Sequence, residues 1–203
     1  TCTSAIAIGN NAKATGSTAA ISICSNSRST STNSIAFGNT TIATANLSIA
    51  IGCSAQAITN PNSIAIGALT TASGNTSVAL GYNSKATAIY STVLGAYISC
   101  ATNICTGVIG AGSCASGVDS IAIGANIWAT STGGIGLGAG MIVSGSCAVG
   151  IGTGGCSYGA NTVAIGTQAK AITCGSIAIG YRAGYNVTAG REFFCGGGRP
   201  ACC

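Results

Sequence analysis

One position governs what this chain can fold into. A glycine returns every 14 or 15 residues, at Gly9, Gly38, Gly52, Gly67, Gly81, Gly95, Gly110, Gly124, Gly138, Gly152, Gly166 and Gly180, with Cys24 in the one missing place. Each closes a short phrase such as Ile64-Ala65-Ile66-Gly67 or Val78-Ala79-Leu80-Gly81. Large, small, large is the period of two of a β-strand with unlike faces. A repeat this short holds two strands of about four residues and two tight reversals, and glycine alone takes positive φ there without steric cost. Each repeat therefore reads as one turn of a parallel β-solenoid. The expected fold is all-β, about thirteen coils over residues 1–184, stacked at about 4.8 Å into a rod of roughly 60 Å. Residues 185–203 read as a Gly/Cys-rich tail or a degenerate last coil, since Cys195 lies fifteen residues after Gly180 as Cys24 does after Gly9.

The columns suggest what faces where. Three residues and one residue before the closing position stand Ile, Val, Leu or Phe, apart from Thr92 and Gly107, expected to fill the interior of each coil. Five residues after it stands a small column: Ala14, Ser29, Ala43, Ala57, Ala72, Ala86, Cys100, Ala115, Ala129, Val143, Ser157 and Ala171. With Ile committed inward, the alanines between the large residues (Ala36, Ala50, Ala65, Ala79, Ala122, Ala164 and Ala178) are expected to face a neighbouring chain, because only small side chains let two sheets approach closely. The GxGxxG-like runs near Gly136 and Gly150 lack a following helix and read as by-products of the repeat rather than dinucleotide sites.

Composition narrows the function. Only 4% of the 203 residues are charged, histidine is absent, and the two carboxylates, Asp119 and Glu192, stand 73 positions apart. No histidine can activate a thiol and no carboxylate pair can share acid–base work, so neither catalytic residues nor a cofactor site is expected. The net charge of +5 comes from seven scattered cations and makes no nucleic-acid patch. No apolar run is long enough to cross a bilayer, and no leader peptide opens the chain. Twelve cysteines point to an oxidising, extracellular or cell-surface setting.

The phrases NSIAFGNTT (33–41), NSIAIGALT (62–70) and DSIAIGANI (119–127) resemble the head repeat of the trimeric autotransporter adhesins, the YadA-like head, over about residues 4–184. The resemblance implies a β-roll in which three chains associate about a common axis, and binding to host matrix or surface glycans. Similar repeats occur in phage and viral fibres. The coiled-coil stalk and barrel anchor of that family have no counterpart in this sequence.

The cysteines are Cys2, Cys24, Cys53, Cys100, Cys105, Cys114, Cys147, Cys156, Cys174, Cys195, Cys202 and Cys203. Cys105 and Cys114 lie five before and four after Gly110, and Cys147 and Cys156 repeat that phase around Gly152. Disulfides within or between chains are the first reading, packed free thiols the second and a metal the third, because zinc sites show close Cys-x2-4-Cys pairs in duplicate and only Cys100-x4-Cys105 comes near. Cysteines near both termini fit axial, head-to-tail stacking of homotrimers into a disulfide-locked fibre. A recognition head of an adhesin or tail fibre is the alternative. Asn39, Asn46, Asn75 and Asn186 are glycosylation sequons. Tyr82, Tyr97, Trp128, Tyr158 and Tyr181 are expected on turns or the second strand. An ice-binding Thr-x-Thr ladder is disfavoured, because Thr41, Thr70 and Thr71 do not continue in register.

Overall fold

The structure, a computed structural model, describes residues 3–15 and 18–184 and the backbone of 193–195. It divides into two compact units, Thr1–Cys105 and Thr106–Cys203, each a parallel β-solenoid. In the first unit, β1 (Ile6–Ile8), β3 (Ile21–Ile23), β5 (Ile35–Phe37), β7 (Ile49–Ile51), β9 (Ile64–Ile66), β11 (Val78–Leu80) and β13 (Thr92–Ala96) form one sheet. The shorter β2 (Lys13–Ala14), β4 (Arg28–Ser29), β6 (Ile42–Ala43), β8 (Gln56–Ala57), β10 (Thr71–Ala72), β12 (Lys85–Ala86) and β14 (Cys100–Ala101) form the second. In the other unit the first sheet holds β15 (Gly107–Ala111), β17 (Ile121–Ala125), β19 (Ile135–Ala139), β21 (Val149–Thr153), β23 (Val163–Ile165), β25 (Ile177–Ile179) and β26 (Phe193–Cys195). Its second sheet holds β16 (Cys114–Ala115), β18 (Trp128–Ala129), β20 (Ile142–Val143), β22 (Cys156–Ser157) and β24 (Lys170–Ala171). Equivalent residues stack in register, Ile64 on Val78, Ala65 on Ala79 and Ile66 on Leu80.

Which face turns inward is the reverse of the sequence expectation. Ala36, Ala50, Ala65, Ala79, Ala122, Ala164 and Ala178 are fully buried inside single coils, so they cannot face a neighbouring chain. The Ile columns point out: Ile66 is 37% and Ile123 36% exposed. The cause is the width of the coil. Strands of three and two residues joined by such tight corners hold the sheets too close for two large side chains between them. Alanine therefore meets alanine, as in the cluster Ala164, Ala169, Ala171, Ala178 and Ala183.

Where a large side chain enters, its opposite number disappears. Ile127 and Met141 are among the largest fully buried side chains. A Cβ on Gly136 would lie 2.5 Å from Ile127 Cγ2, and one on Gly150 would lie 2.8 Å from both Met141 Cε and Val143 Cγ2. The two glycines that produced the false dinucleotide motif are the space that these side chains occupy.

The corners are built twice per coil. The closing glycines have φ between +121° and +138° at most of their positions, and a Cβ on Gly81 would stand 1.6 Å from the carbonyl oxygen of Gly95 in the next coil, so conformation and stacking both demand glycine. Cys24 takes that place at φ +90°, a strained setting for a residue with a side chain. Two residues after and five before each closing position a residue adopts the left-handed region, for example Asn26 (φ 55°) and Asn33 (φ 53°). Just inside the second corner a buried hydroxyl ties the turn down. Ser48 Oγ donates to the Ala45 carbonyl at 2.6 Å, Ser77 to Gly74 at 2.7 Å and Ser120 to Gly117 at 2.6 Å. Ser63, whose corner carries an extra residue beside Pro61, is buried with no partner for its hydroxyl among the described residues.

Two local expectations shift by one residue. At Gly95 the strand runs straight on, and the turn is made by Tyr97 (φ 64°) and Ile98 (φ 62°). Cys100 consequently pairs with Lys85 on the outer face, and Ala101, not Cys100, joins the buried small column. At the far end β26 pairs in parallel with β25, Ile177 with Phe193 and Ile179 with Cys195. Cys195 thus stands level with Ile179 rather than with Gly180.

Candidate interaction surfaces

With the interior given to small residues, function has to lie on the outside, and each coil offers two faces and two corners. The outer face of the first sheet is apolar at both positions: β9 presents Ile64 and Ile66, β11 Val78 and Leu80, β17 Ile121 and Ile123, β23 Val163 and Ile165. β-Branched residues suit a pleated strand, but two ladders of them left half-exposed form a patch that monomeric proteins rarely leave open.

The outer face of the second sheet differs between units. In Thr1–Cys105 its columns carry Lys13, Arg28 and Lys85, and, two residues further on, Thr15, Thr30, Thr44, Ser73 and Thr87. In Thr106–Cys203 the first column carries Cys114, Trp128, Ile142, Cys156 and Lys170, and the second Ser116, Thr130, Ser144, Tyr158 and Ile172. A hydroxyl ladder therefore does exist, but as a single file in a column the sequence reading did not align, not as a Thr-x-Thr double file. Tyr82, Tyr97, Trp128, Tyr158 and Tyr181 are all exposed, on corners or on the second sheet.

Cys24, Cys53, Cys105, Cys147, Cys156 and Cys174 are free thiols, so none of these six is bridged within the chain. The shared phase is real but sets the paired residues apart. Cys105 and Cys147 sit on left-handed corner positions at φ 56° and 53°, whereas Cys114 and Cys156 lie on the second sheet. Among the described residues no group of three or more Cys, Asp or Glu could hold a metal. Cys53, Cys105, Cys147 and Cys174 are exposed. Cys156 is buried against its neighbours, and burial pushes its thiol up despite the opposing pull of the Lys170 ammonium and the Tyr158 hydroxyl. It is the least reactive kind of thiol. The candidate positions Cys2, Cys202 and Cys203, the side chain of Cys195, and Asn186 lie outside the described residues. Of the other sequons, Asn39 and Asn46 are exposed, and Asn75 is half-buried and accepts a hydrogen bond from Thr76 Oγ1 at 2.9 Å.

A family model described as the YadA head domain repeat matches residues 3–19, 29–55, 46–70, 59–84, 72–97, 108–126 and 157–183, well over half of the chain. No curated protein matches it.

Proposed function

The chain belongs to the YadA head-repeat family, and from that premise we propose that it is the head of a trimeric surface adhesin, carried at or beyond a cell surface. The family is of a structural and adhesive type rather than a catalytic one. One observation carries the trimer: apart from Thr92 and Gly107, the outer face of the first sheet repeats two large apolar side chains per coil, half-exposed in a single chain. Burying such columns against two other chains removes apolar surface from water at about 25 cal/mol per Å². The second sheet then faces outward and is free to meet a ligand.

Sedimentation equilibrium of the purified chain tests this. The expected mass is three times the 19.3 kDa chain, with binding to matrix-coated surfaces only in the trimeric fraction; a stable monomer at micromolar concentration overturns the reading. A finer reading, trimers stacked head to tail and locked by disulfides into a fibre, rests on the cysteines near both termini, Cys2, Cys195, Cys202 and Cys203. It requires a ladder of chain multiples beyond the trimer in non-reducing electrophoresis that collapses on reduction. A single band under oxidising conditions excludes it.

A further inference from the structure

Residues Thr1–Cys105 contain three charged side chains, Lys13, Arg28 and Lys85, and neither Asp nor Glu. All three stand at one position of the coil, four residues after the closing position, on the outer face of the second sheet, and all three are exposed. Lys13 pairs directly with Arg28 across β2 and β4, so two like charges stand about 4.8 Å apart with no acid in the unit to neutralise them. Lys85 follows four strands further along the same column, about 19 Å away at the usual strand spacing. Two residues along each strand, about 6.6 Å aside, runs the file Thr15, Thr30, Thr44, Ser73 and Thr87, held in step by backbone bonds such as Thr30 N to the Ala43 carbonyl and Ser73 N to the Ala86 carbonyl. Among the described residues their hydroxyls have no partner, unlike the inward Ser48 and Ser77 hydroxyls. Ile42 and Ile58 interrupt the two files.

We infer that this face of Thr1–Cys105 binds a linear sulfated polysaccharide laid along the stacked strands. Like charges in register destabilise a sheet unless something anionic meets them. Guanidinium and ammonium groups match sulfate oxygens, and a file of unpartnered hydroxyls offers the donors and acceptors that sugar hydroxyls use. The competing polyanions fit less well. Among the described residues no aromatic lies on this face of the unit to stack a nucleic-acid base, and none forms an amphipathic helix that could enter a lipid surface.

The inference rests on the adhesin-head reading in one respect, that the first sheet faces partner chains and the second faces out. The test uses the full chain and a sulfated hexosamine–uronate octasaccharide, with binding followed by fluorescence anisotropy and the oligomeric mass recorded on the same samples. The trimer is expected to bind the octasaccharide, with affinity falling roughly twentyfold between 50 and 200 mM salt if about three ion contacts form. Replacing Lys13→Gln, Arg28→Gln and Lys85→Gln together should weaken binding about tenfold or more. Restoring the charge elsewhere on the same coils of that variant, with Asn10→Lys, Ser25→Lys and Tyr82→Lys, should not recover it. Recovery in the relocated variant, equal binding of the desulfated octasaccharide, or tighter binding to single-stranded DNA or anionic vesicles overturns the inference. A monomeric mass would instead count against the adhesin-head reading, whatever the chain binds.

Discussion

Thr1–Cys105 and Thr106–Cys203 build the same coil with different divisions of its volume. In the first unit, coils such as that around Ala65, Thr70 and Ala72 put small side chains on both inner walls. In the second, the coils around Ile127, Met141 and Val143 put the volume on one wall and remove it from the other at Gly136 and Gly150. The cross-section is therefore fixed by the corners and the backbone ladder, and side chains share what remains. The outer wall of the second sheet shows the freedom that the inner walls lack. Its first column carries Lys13, Arg28 and Lys85 in one unit and Trp128 and Ile142 ahead of Lys170 in the other, with no change in the underlying strands.

The largest expected effect comes from forcing volume into a coil that has none to spare. Ala65→Leu should destabilise the chain by about 3 kcal/mol, the upper end of ordinary overpacking, read as a lowered denaturation midpoint at unchanged m-value. A loss below a few tenths of a kcal/mol would mean that Ala65 has room, against its complete burial. Next, Gly136→Ala should cost about 2 kcal/mol through its clash with Ile127. The double variant Gly136→Ala, Ile127→Ala should recover most of that loss by recreating the all-small coil. Additive losses in this double-mutant cycle would break the idea of shared volume.

The corner hydroxyls give a smaller contrast. Ser77→Ala removes a bonded hydroxyl and should cost about 1 kcal/mol, whereas Ser63→Ala removes a buried hydroxyl without a partner and should be neutral or stabilising. Equal losses at the two sites would show that the Ser63 hydroxyl is satisfied after all. The smallest effect is a gain: Cys24→Gly should stabilise by up to about 1 kcal/mol by relieving the φ of +90° at the one closing position without glycine. A thermal scan showing a lowered midpoint would contradict it.

Period, strand positions, corner glycines and the family were legible in the sequence, because a 14-residue unit leaves the backbone so few options. The direction of the strand faces was not. Alternation at Ile64, Ala65 and Ile66 states that the two faces differ, but the rule that large apolar residues go inside assumes an interior wide enough to hold them. A signal was present. Lys13, Arg28, Lys85 and Lys170 share one column and Thr15, Thr30, Thr44 and Thr87 share another, two residues on. The small column between them must therefore point inward, and a coil lined by alanine on one wall, with glycine opposite Ile127 and Met141 on the other, is too thin for the Ile columns. The turn shift at Tyr97 and Ile98 left no such mark, since Gly95 looks like every other closing glycine.

The central claim, small residues inside and the Ile ladders outside against partner chains, is tested most directly by the variant Ile66→Ser, Ile123→Ser, with sedimentation mass and far-UV circular dichroism measured on the same preparation. The account expects the trimer to weaken toward monomer while the β spectrum of the coils persists, because neither side chain fills the interior. Loss of the β spectrum with the remaining folded material still trimeric would place the Ile columns in the core and contradict it.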